Sequence, residues 1–228
     1  MVRMTHPIDQ RAPYSHWMRQ NFPKTLSLIV VTAAVAMGLS GCIKIDMDMK
    51  VGRNEKVDGT FVLALNEEML TLMQQKPDDF IKSMLKDGVA KDVPKGAKVT
   101  QTAYRKDGWA GVAISYKDMP VSEFSKSAGK AAGGVGGRTV APGQDFVLTK
   151  VKDTYEFTGK VDFGTGNSPA GKDKSTDAMM KKYKPEMRIK MTFPGKVISA
   201  NGKISGNSVT WVPKLGDKLT MTAKAKAS

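Results

Sequence analysis

Histidine and cysteine are nearly missing from this chain: 228 residues hold two histidines, His6 and His16, and a single cysteine, Cys42. Nothing after His16 can therefore supply an imidazole. Ser-His-Asp and Cys-His catalysis and the usual zinc sites, which all need imidazole or thiolate, are excluded from the body of the chain. A lone cysteine permits no internal disulfide, so the fold has to rest on core packing. Long apolar runs are scarce too. Beyond Leu39 none approaches the roughly 20 residues that a spanning helix requires.

The one sizeable apolar run is Thr25 to Leu39, TLSLIVVTAAVAMGL. Arg11, Arg19 and Lys24 precede it and Ser40, Gly41 and Cys42 close it. A basic lead, a short apolar stretch and small residues at its end make up an export signal. The ending Leu-Ser-Gly-Cys looks like a bacterial lipobox, in which the cysteine sulfur takes a diacylglycerol and the chain is cut just before it. We therefore expect residues 1–41 to be removed and Cys42 to carry acyl chains such as palmitate. That arrangement makes an extracytoplasmic lipoprotein of the cell membrane. Met18 would be a more usual start than Met1.

Both histidines precede Cys42, as do four of the 36 basic and one of the 22 acidic residues. Residues 42–228 thus keep 32 basic and 21 acidic residues, a formal charge of +11. Basic chains often bind nucleic acid, but export removes that partner, and the lysines are spread out rather than gathered. The strand pattern starts at Ile43, directly after the lipid site, so lysines would stand near the headgroups of an anionic surface.

Period-two alternation marks Ile43–Val51 as a half-buried strand, with Ile43, Ile45, Met47, Met49 and Val51 on one face. A turn at Gly52–Asn54 leads to a second strand, Val57 to Leu65. Asn66 is placed to cap a helix carrying Glu67 and Glu68 in its first turn and Met69, Leu70, Leu72 and Met73 on its apolar face. Pro77 starts a second helix, with Asp78 and Asp79 at its head and Phe80, Ile81, Met84 and Leu85 as its stripe. Strands resume at Lys98–Arg105 and Trp109–Lys117 around Lys-Asp-Gly, then at Asp145–Val151 and Tyr155–Phe163. Short helices are expected at Val121–Ala128 and Thr176–Tyr183, and a flexible loop at Gly129–Gly137. The tail alternates again: Met187 to Phe193, Val197–Ser199, Val209–Val212 and Leu219–Ala223, punctuated by Pro194-Gly195, Asn201-Gly202 and Gly206-Asn207. The expected fold is one α+β domain, a mainly antiparallel sheet with a few short helices packed on one side.

Catalytic signals are thin. Asp46 and Asp48 sit beside lysines on a polar strand face, as on a solvated edge, and Asp78 and Asp79 suit a helix N-terminus. Ser83-Met84-Leu85-Lys86 matches S-x-x-K, but its companions S-D-N and K-T-G are absent. The glycines of 129–137 lack the order of a phosphate-binding loop. No cofactor or metal is implied. Methionine is abundant: 11 of 15 follow Cys42, mostly at apolar-face positions. They suit an ordinary core, and equally a lining that adapts to acyl chains.

The pattern resembles the LppM-type lipoproteins of actinobacteria. The resemblance rests on the lipobox running straight into Ile43–Val51 and on Val57-Asp58-Gly59-Thr60-Phe61 followed by the stretch from Asn66. It rests further on Met191-Thr192-Phe193-Pro194-Gly195-Lys196-Val197, Ala200-Asn201-Gly202 and Val209-Thr210-Trp211. It implies a partly barrel-like domain with an apolar cavity that holds envelope glycolipids such as phosphatidylinositol mannosides. Members often add a C-terminal spanning helix, and no such run stands before Lys224-Ala225-Lys226-Ala227-Ser228. The leading expectation is a non-enzymatic, membrane-tethered lipid binder. Its cavity would be lined by Phe61, Leu63, Met69, Leu72, Met73, Phe80, Met84, Trp109 and Ile114. The alternatives are a module docking on an envelope protein or wall polymer, and a carboxylate-dependent hydrolase.

Overall fold

The structure is a computed structural model that describes residues 43–87, 93–125, 145–162, 185–214 and 217–228. The export signal, Cys42, the glycine-rich stretch 129–137 and the helix expected at Thr176–Tyr183 lie outside the described residues. All described residues belong to one compact unit.

Strands β1 (Ile43–Val51) and β2 (Lys56–Asn66) form the expected hairpin, with Ile43 opposite Leu65 and Val51 opposite Val57. Asn66 caps helix α1 (Glu67–Leu72), its side chain accepting from the backbone N–H of Glu68 and Met69. Helix α2 (Pro77–Asp87) follows. Strands β3 (Lys98–Lys106) and β4 (Trp109–Pro120) pair around Asp107 and Gly108, both at positive φ, which is the tight mirror-image turn that an Asp-Gly pair favours. Residues 121–125 are helical. Then come β5 (Asp145–Val151), β6 (Thr154–Asp162), β7 (Glu186–Thr192), β8 (Val197–Ala200), β9 (Lys203–Ser205), β10 (Ser208–Trp211) and β11 (Lys218–Lys226).

The strands divide into two sheets instead of one. Seven run in the order β3-β4-β2-β1-β7-β10-β9 and four in the order β5-β6-β11-β8. Each order ends in two edge strands, so neither sheet closes. Pairing is antiparallel except between β1 and β7. A single core joins the layers: Phe80, Ile81 and Met84 of α2 share it with Phe146, Leu148, Tyr155 and Phe157 of the smaller sheet.

The parallel pair corrects the reading of Asp46 and Asp48. β1 is no edge; it lies between β2 and β7. Its polar side chains face their opposites across the register, Lys44 to Glu186 at 2.7 Å, Asp46 to Arg188 at 2.7 Å and Asp48 to Lys190 at 3.3 Å. A slip of two residues would set Lys44 beside Arg188 or Asp46 beside Glu186, pairing like charges. The charge order therefore helps select the register of strands 142 residues apart. Burial opposes the Lys44 charge, but the Glu186 hydrogen bond and nearby charges outweigh it, and its pKa rises above the ordinary lysine value.

Candidate functional site

The inner face of the larger sheet is built in cross-strand rows. One row runs Val99, Tyr116, Gly59, Met49, Met191 and Val209. The next runs Gln101, Ile114, Phe61, Met47, Ile189 and Trp211, and a third Ala103, Val112, Leu63, Ile45 and Met187. Period-two alternation places these residues on one side, and burial of that side drives the two layers together. Helix α2 lies against β3 and β4, and Gln101 donates from its side-chain amide to the Met84 carbonyl at 3.3 Å.

Of the nine residues expected to line a cavity, Phe61, Leu63, Phe80, Met84 and Ile114 meet in the main core, and Met73 packs against it. Met69 is buried outside that core. Leu70 is the fully buried residue of α1, while Leu72 is 58 % exposed. Leu85, expected in the α2 stripe, is also exposed. Trp109 sits on the opposite face of the sheet, in a small cluster with Val62 and Ala64. An unbroken strand cannot turn positions 109 and 114 to the same side, because they differ by an odd number. On that outer face the Lys44 ammonium lies 5.4 Å from the Trp109 ring.

The carboxylates and the S-x-x-K serine are engaged structurally. Asp46 and Asp48 pair with Arg188 and Lys190. Arg105 bridges Glu67 at 2.8 Å and Asp78 at 3.0 Å, fastening the head of α2 to that of α1. Ser83 donates to the Phe80 carbonyl of its own helix at 2.9 Å. Among the described residues no group of three or more Asp, Glu, His or Cys side chains could hold a metal ion. Also among them, no helix is long and apolar enough to cross a membrane.

The core also holds the phenols of Tyr116 and Tyr155. Tyr116 is 5 % exposed on the inner face, and burial pushes its hydroxyl pKa up to about 12. The signal was available: Ile114 and Tyr116 share strand parity, so one buried implies the other.

The model of the LppM domain matches residues 44–227. The folded domain of Mycobacterium tuberculosis LppM, solved by NMR, is similar in fold, with a TM-score of 0.55 and 18 % sequence identity. The match covers 81 % of this chain and 90 % of that one. No curated protein matches the chain. A match over nearly all of the described strands, from β1 to the end of β11, settles the family: the chain belongs to the LppM domain family.

Proposed function

We propose that this chain is a membrane-tethered lipoprotein of the cell envelope, acylated at Cys42, that binds lipids or glycolipids in its apolar interior without catalysing a reaction. The observation that carries the reading is the convergence of Phe61, Leu63 and Ile114 with Phe80 and Met84, beneath the short helix α2. Methionines at Met47, Met49, Met187 and Met191 continue the same apolar face, and their thioether chains can reshape around an acyl tail. Ligand sites are walled in this way, mostly by apolar groups with few polar ones. The engagement of Asp46, Asp48 and Asp78 in ion pairs supports binding over carboxylate catalysis.

The tether has its own test. Ile43 begins β1 and follows Cys42 directly, so the lipid would hold the domain against the headgroups. Changing Cys42→Ala should abolish incorporation of labelled palmitate and leave an uncleaved precursor. Acylation that persists in this variant would remove the lipobox from the reading.

Binding is tested by titrating phosphoinositide glycolipids into the exported protein while following tryptophan fluorescence. Saturable binding should survive salt and should weaken in Phe80→Leu, which removes ring volume from the core but keeps it apolar. The exposed Leu72→Asp should bind as the wild type does. Binding that vanishes with salt, or that follows Leu72 and not Phe80, would favour the module docking on an envelope protein or wall polymer.

A further inference from the structure

The two ends of the larger sheet differ in charge. β1 begins at Ile43, directly after Cys42, and at about 3.3 Å per residue its nine residues carry the chain about 30 Å away. At the near end Asn66 stands opposite Trp109, and the Glu67 N–H donates to the Gly108 carbonyl at 2.8 Å, so α1 and the Asp107-Gly108 turn lie there. Lys44 is paired with Glu186, and Arg105 with Glu67 and Asp78. The other charged side chains of this end are Glu68, Asp79 and Asp107 against Lys76 and Lys106. The near end is acidic.

The far end is basic. Here the β1–β2 hairpin exposes Lys50, Arg53 and Lys56. Lys150 pairs with Glu55 of the same turn, which sets the β5–β6 hairpin and its exposed Lys152 beside it. Lys226 stands opposite Thr154, and its N–H donates to the Lys196 carbonyl at 2.9 Å. Glu55, Asp58, Asp118, Glu123 and Asp153 are too few to balance them. The sequence suggested lysines beside the headgroups; the fold turns the larger share of them away.

A second observation falls at this end. Lys98 and Lys117 stand directly opposite each other on β3 and β4. Like charges so placed destabilise a sheet. Asp118 gives little relief, since it lies 3.9 Å from Lys98 and nearer, at 3.3 Å, to Lys56. An anion from outside would supply the charge that the pair lacks.

We propose that the basic end far from Cys42 docks on an anionic polysaccharide of the envelope, with Lys98 and Lys117 among its contacts. The choice of partner rests on the Cys42 tether proposed above, whereas the distribution of charge does not. With no linker between Cys42 and β1, the domain cannot turn its far end back onto its own membrane. A chain carrying carboxylates or phosphates at intervals matches lysines spread over several turns, and its counterions are released on binding.

The test holds the exported lipoprotein by its own anchor in phosphatidylcholine vesicles and titrates it with dextran sulfate, with uncharged dextran as control. At 150 mM salt the screening length is about 8 Å, so only charges at the contact count. Dextran sulfate should bind saturably and dextran should not. Lys98→Glu with Lys117→Glu should weaken binding roughly tenfold. Lys76→Glu with Lys106→Glu, an equal change of net charge at the near end, should alter it less than about twofold. Lys117→Glu alone should leave the unfolding midpoint unchanged or raise it, because it sets opposite charges across the strands.

Equal weakening by the two double variants would reduce the effect to net charge and overturn the docking surface. A lower midpoint in Lys117→Glu would overturn the role of the lysine pair, since that lysine would then serve the fold. Protein that enters the vesicles but ignores dextran sulfate would overturn the proposal and leave the tether standing. Protein that fails to enter them would remove the tether, and the choice of partner with it.

Discussion

Gly111→Ala will destabilise the domain by about 3 kcal/mol or more, because the position has no room for a side chain. Gly111 pairs with Ala64, two pairs in from the Asn66–Trp109 end of the β2–β4 ladder. A β-carbon there would lie 2.1 Å from the Leu63 carbonyl oxygen and 2.6 Å from the Ala64 α-carbon. Both are backbone atoms in a strand held on each side, by β1 and by β4, so neither can yield without opening the ladder. Larger residues should be worse, and β-branched ones no better despite their strand propensity. In a domain of this size each kcal/mol lowers the melting temperature by about 2–4 °C. Urea unfolding of Gly111→Ala followed by circular dichroism should therefore show a much lower midpoint. A midpoint within a few tenths of a kcal/mol of wild type would mean that β2 and β4 are not packed as described.

Trp211→Ala should cost about 3–5 kcal/mol, the range for deleting a buried aromatic side chain. Trp211 belongs to β10 in the larger sheet, and its ring lies 5.3 Å from that of Phe157 in the smaller one. The indole Nε1 donates to Asn201 Oδ1 at 2.9 Å. The same oxygen accepts from the Thr222 backbone at 2.8 Å, and the Asn201 amide donates to the Thr220 carbonyl at 2.6 Å. Asn201 thus ties the tryptophan of one sheet to β11 of the other. Gly202 lets the ring settle: a β-carbon there would be 2.6 Å from Nε1. Trp211→Phe keeps an aromatic ring and loses only the hydrogen bond and some volume, so it should cost less than half as much. Chemical denaturation of both variants decides the matter. A Trp211→Ala loss below about 1 kcal/mol would show that the sheets do not depend on this joint.

These two sites show how far the sequence could be read. Asn201-Gly202 and Val209-Thr210-Trp211 were visible as separate short motifs, the first as turn chemistry. Their meeting was not visible, because it takes the pairing of β10 with β7 and of β8 with β11 to bring them together. Gly111 reads locally as a weak point in a strand, and only the neighbouring β2 backbone reveals why it must be glycine. The burial of the residues offered as a cavity lining was legible in part. Periodicity places Phe61, Leu63, Phe80, Met84 and Ile114 in the core, where they lie, and the same rule places Tyr116 there. Trp109 has the opposite parity and therefore belongs to the outer face. Leu72 and Leu85 lie on apolar stripes wider than the surface that the helices bury, and a stripe alone does not say where contact ends.

By itself the sequence determined the local structure: strands from alternation, α1 from its Asn66 cap, α2 from Pro77, and the hairpin at Asp107-Gly108. Each follows from interactions among residues a few positions apart, which hold whatever the rest of the chain does. Tertiary structure alone decided that the eleven strands of the described residues form two sheets, that β1 lies inside the larger one, and that β7 joins it in parallel. Any strand with one apolar face and free backbone groups can pair with many others. The choice among partners falls to whichever assembly buries all the apolar faces at once, with Lys44, Asp46 and Asp48 meeting Glu186, Arg188 and Lys190.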